Sequence, residues 1–184
     1  MESRRLPSKE PVTKAAGPYG HPLHPLLVTI PIGSWVASVI LDIASKASND
    51  PNPYVQSARW LIGIGIIGAL LAAIFGLMDL ATIPEGTPAK RTAFTHMTLN
   101  LLVTAAFVVS WFIRGNGGIE ADGSTSTELL ILSIVTLLVL TVSGFLGGMM
   151  TYRFGVRVAR ESDQVEGYED ARNRTDRTNH RRAA

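Results

Sequence analysis

Residues 21–42 read HPLHPLLVTIPIGSWVASVILD. Two histidines, His21 and His24, stand at the mouth of an apolar run, Pro31 interrupts it, and Asp42 ends it. From about Pro25 to Ala44 the run is roughly 20 residues long, the length a helix needs to cross the hydrocarbon of a bilayer. It has no strand-like alternation, and in lipid a helix is the state that pairs its backbone internally. Pro25 suits a first helical position. Pro31 has no N–H, so it frees the carbonyl of Leu27 and predicts a kink.

Three further runs follow, at about Trp60–Ala81, Phe94–Ile113 and Leu129–Thr151. The stretches between them are rich in turn formers: KASNDPNPYVQSA at 46–58, TIPEGTPAKRT at 82–92 and RGNGGIEADGSTST at 114–127. Short links make neighbouring helices antiparallel. The expected fold is an all-α integral membrane four-helix bundle, up-down-up-down, spanning 21–153. A polar N-terminal segment (1–20) precedes it and a charged, mostly disordered cytoplasmic tail (154–184) follows. The first run is expected to be retained, because no small-residue cleavage site follows it. No internal repeat stands out.

Composition agrees. Of the 184 residues, 46% are hydrophobic and 17% charged, against about 25% charged in soluble domains. Cysteine is absent, which excludes disulfides, thiolate metal sites, iron–sulfur ligation and cysteine nucleophiles. The basic residues flank apolar segments instead of forming a face, so nucleic acid is not an expected partner. Arg4, Arg5, Lys9, Lys14, Lys90, Arg91, Arg153, Arg157 and Arg160 fall on one side, Lys46, Arg59 and Arg114 on the other. This imbalance places both termini in the cytoplasm. Trp60 and Trp111 suit the outer interfacial belt.

The topology then gathers polar residues. His24 at the start of the first run, Asp79 at the end of the second and His96 at the start of the third arrive at one depth, with His21 and Asn100 beside them. His96, Asn100 and Thr104 form one stripe, and Ser133, Thr136, Ser143, Gly147 and Thr151 another. Gly144 with Gly148, and Gly68, Ala72 and Gly76, have the small-residue spacing of close helix packing.

Imidazole is a ligand for haem iron and for divalent metals. His24 and His96 are therefore candidate haem ligands, and with Asp79 a candidate metal set. The plainer expectation has the histidines bonded to a carbonyl or a lipid phosphate, and Asp79 accepting from backbone, threonine or Arg91. Asp42 is expected to pair with Arg59 across the first outer turn. No phosphate loop, H-E-x-x-H or nucleophile elbow occurs, and no residues read as catalytic.

The motifs HPLHPLLVTIPIG at 21–33, GLMD at 76–79, KRTAFTHMTLN at 90–100 and GGMMTYRFGV at 147–156 resemble a family of bacterial membrane proteins. It is catalogued as domain of unknown function 2231. The resemblance covers roughly 17–158 and implies a four-helix membrane domain. By position it carries the family's polar residues onto His21, His24, Asp42, Asp79, His96 and Asn100. Some relatives are fused to Rieske-type domains, which implies redox company. Many relatives have a histidine at the position of Phe154, and this chain does not.

Three functional expectations stand. In the first, a haem b or divalent-metal electron-transfer subunit uses the His/Asp cluster. In the second, a non-catalytic structural or assembly subunit serves a membrane complex or a homo-oligomer. The third is proton or ion translocation, which the absence of ionisable residues between Ile62 and Phe75 disfavours.

Overall fold

The computed structural model describes residues 7–9 and 22–158. His21, His180 and the tail beyond residue 158 lie outside the described residues. Five helices make four spans: α1 (Leu23–Leu27) and α2 (Thr29–Ala47) form the first, followed by α3 (Asn52–Ala81), α4 (Pro88–Gly115) and α5 (Thr127–Tyr152). All four are long and apolar enough to cross a membrane. The first span divides at Val28, one turn before Pro31, where the proline cannot bond the Leu27 carbonyl. Thr29 Oγ1 instead donates to the Leu26 carbonyl at 2.7 Å.

The helices begin earlier than hydropathy suggests. α3 starts at Asn52, so only residues 48–51 connect it to α2, and the expected turn at 46–58 is largely helix. Pro51 at the N-cap and Pro53 in the first turn start the helix, and its polar opening, Asn52–Arg59, extends beyond the apolar run. α4 starts at Pro88, because Thr87 Oγ1 accepts from the Lys90 N–H at 3.2 Å. At about 1.5 Å per residue, the 30-residue α3 is near 45 Å long, more than the hydrocarbon alone requires. The structure also continues past Tyr152. Val156 is buried with Ile83 and Ala93, so residues 154–158 belong to the bundle and not to a tail.

α2 packs chiefly on α3, and α4 on α5; the two hairpins join through α3–α4 and α2–α5. Across the diagonal, the first span (α1 and α2) and α4 run parallel in a fixed register. His24 meets His96, Trp35 stacks on Phe107 with centroids 4.4 Å apart, and Asp42 meets Arg114. Each pair is 72 residues apart. Ser38 and Ser110, also 72 apart, are both buried. The hairpins repeat one another: His24 bonds the carbonyl of Ala72, and His96 bonds that of Ser143, both at 2.8 Å. The two hairpins therefore repeat one feature, which the sequence hides.

The core is a central layer of Trp35, Ile62, Val103 and Phe107. Trp35 Nε1 donates to the Ile62 carbonyl at 3.3 Å, and the indole lies against Gly65, where no Cβ would fit. Large hydrophobic side chains such as Ile40, Ile67, Leu102 and Phe145 point outward, the pattern of a lipid-facing surface.

Candidate functional site

Two polar clusters flank the apolar layer. The first lies at the end of the bundle where α2 joins α3 and α4 joins α5. There Arg114 Nη1 and Nη2 donate to the two Asp42 carboxylate oxygens at 2.7 Å each, and both side chains are fully buried. The remaining Arg114 donors reach Ser110, Thr125 and Ser133. Thr125 Oγ1 also donates to Asp42 at 2.8 Å. Every donor of the guanidinium thus has an acceptor, which a buried charge requires.

The expected Asp42–Arg59 pair does not form. Both residues sit at this end, but the diagonal register brings Arg114 onto Asp42. Arg59 turns instead over the Trp111 ring, 4.8 Å from its centroid. Above the pair, Glu120 accepts from the Thr127 N–H at 3.0 Å at the start of α5 and from Lys46 at 3.2 Å. These bonds hold the Glu120 carboxyl below its usual range, the Thr127 N–H contributing most.

The second cluster lies about 18 residues, or 27 Å of helix rise, from the first. The rings of His24 and His96 sit edge to face, centroids 6.4 Å apart. A carbonyl can only accept, so each Nδ1 carries the proton it gives to Ala72 or Ser143, and each Nε2 keeps its lone pair. A glycine one turn beyond each carbonyl makes room. A Cβ at Gly76 would lie 3.0 Å from the His24 ring, and one at Gly147 would lie 3.1 Å from the His96 ring. Gly147, not the expected Gly144–Gly148 pair, is therefore the glycine of α5 that a neighbouring helix needs; nothing lies within 4 Å of a Cβ at Gly144.

Asn100 Nδ2 lies near three acceptors: the His96 carbonyl at 2.9 Å, Ser143 Oγ at 2.9 Å and His96 Nε2 at 3.1 Å. An amide has two hydrogens, so one acceptor is surplus, and the longest contact is to Nε2.

Asp79 faces the same end, but its partner is Arg157, at 3.1 Å, and not Arg91. The Arg157 N–H also donates to the Ser8 carbonyl, tying residues 7–9 to the end of the bundle. Among the described residues, no three His, Asp or Glu side chains are placed to share a metal ion. His24, His96 and Asp79 therefore do not assemble the expected metal set, because Asp79 is drawn onto a guanidinium. Lys90 Nζ caps α3 by donating to the carbonyls of Leu80 and Ile83 at 3.0 and 3.2 Å.

Sequence reasoning missed Arg114, Ser110, Thr125 and Arg157. The signal for the first two was the 72-residue offset from Asp42 and Ser38, which also links the histidines.

Four apolar helices, locked by an ion pair at one end and holding a histidine pair at the other, define a multi-span membrane protein. The chain belongs to the family described as predicted membrane protein, domain of unknown function 2231, whose profile matches residues 20–160. No curated protein and no solved structure matches it.

Proposed function

We propose that His24 and His96 would hold a b-type haem, and that the protein is an electron-transfer subunit of a bacterial inner membrane. The observation that carries this reading is the paired imidazoles. They come from diagonal helices at one depth, with both Nδ1 atoms bonded to backbone carbonyls, which leaves each Nε2 unprotonated. Such a backbone bond is how ligating histidines are oriented. Haem needs only two protein ligands, so the lack of a third does not weigh against it. Bound haem would supply reversible one-electron chemistry. Asn100 would release Nε2 and keep its two shorter bonds.

The basic residues concentrate at the histidine end, which supports cytoplasmic termini. Reporter tags on both ends should read cytoplasmic; opposite readings would overturn this orientation. The apolar layer between the clusters argues against ion translocation.

A second reading, a structural or assembly subunit, is favoured by how fully Asn100, Ser143 and His96 satisfy one another. The absorption spectrum of protein purified from haem-replete cells separates the two. A Soret band supports the haem site. Colourless protein that co-purifies with a membrane complex, with His96→Ala leaving that association intact, supports the second reading.

A further inference from the structure

At the end of the bundle opposite the histidines, Lys46 and Arg114 each have a carboxylate partner. Arg59 has none among the described residues. Its Nε is shielded from solvent without a hydrogen bond, and its guanidinium rests on Trp111. The Trp111 indole N–H likewise has no acceptor among the described residues. The arrangement depends on two glycines. A Cβ on Gly115 would strike the Arg59 guanidinium, and one on Gly63 would lie 3.1 Å from Trp111 Nε1.

The height of this pair is informative. Arg59 is the last polar residue before the apolar run of α3, and Trp111 lies in the last apolar turns of α4. Trp60, beside Arg59, is 74% exposed. Both helices therefore place these donors at the boundary between hydrocarbon and headgroups. A unit positive charge, a planar fork of N–H donors and a neighbouring indole N–H match the oxygens of a phosphodiester.

We propose that Arg59, seated on Trp111, binds the phosphodiester of a membrane phospholipid. The site is independent of the histidine pair. The test uses delipidated full-length protein in neutral detergent. It is titrated with phosphatidylglycerol, with diacylglycerol lacking the phosphate, and with inorganic phosphate, while the unfolding temperature is read. Phosphatidylglycerol should raise that temperature, and the other two should not. Arg59→Gln should weaken the apparent lipid affinity about tenfold or more, as loss of a charge-assisted contact implies. Arg59→Lys should restore it only in part, and Lys46→Gln should leave it unchanged. If Arg59→Gln does not fold, Trp111→Phe, which keeps the ring and removes the N–H, decides by a severalfold loss. Unchanged affinity in the deciding variant, or an equal response to diacylglycerol or to phosphate alone, overturns the proposal.

Discussion

Asp42 and Arg114, 72 residues apart, form a two-pronged ion pair at 2.7 Å from which solvent is wholly excluded. Removing one partner strands the other charge. Asp42→Asn or Arg114→Met should therefore destabilise the protein by about 3–5 kcal/mol. Replacing both by apolar residues of similar volume should recover most of that loss. Unfolding in detergent measures both; equal losses in the single and double variants would mean that stranded charge is not the cause.

Glycines of the bundle should differ sharply. Gly65→Ala drives a methyl into the Trp35 indole, whose Cδ1 would lie 2.6 Å away, and should cost about 1–3 kcal/mol. Gly33 also lies within a helix, but no atom lies within 4 Å of its Cβ position. Gly33→Ala should be neutral or stabilising by up to about 1 kcal/mol. The same unfolding assay compares them, and equal effects would contradict the packing described.

Glu120 gives a pH signature. Its folded-state pKa lies below the ordinary 4.5, so its contribution is present above that value and fades as pH falls through the lower, folded one. Asp122, which accepts from the Ser124 N–H at 2.9 Å, is lowered too by its contacts with Ser124 and acts in the same direction. Unfolding followed from about pH 6 to about pH 3 should show stability falling with acid. Glu120→Gln should flatten part of that fall, and an unaltered profile would remove Glu120 from the account.

The spans were legible because length and hydropathy alone identify them. So was the meeting of His24 and His96, which follows from counting helices up and down. The partner of Asp42 was not legible. Arg59 is nearer along the chain, but side chains on diagonal, parallel helices meet at one level whatever their separation in sequence. The repeat was hidden for a related reason. Its matched positions carry complementary or altered residues: Asp42 against Arg114, Trp35 against Phe107, Ala72 against Ser143 and Val28 against Asn100. The start of α3 was missed because Asn52–Arg59 is helical without being apolar.

The histidine pair is tested most directly by the haem content of protein purified from haem-replete cells, measured by pyridine haemochrome and protein assay. One haem per chain is expected in the wild type and in His180→Ala, and almost none in folded His24→Ala or His96→Ala. Haem-free wild-type protein, or unchanged haem in either single variant, would contradict the assignment of this histidine pair to haem.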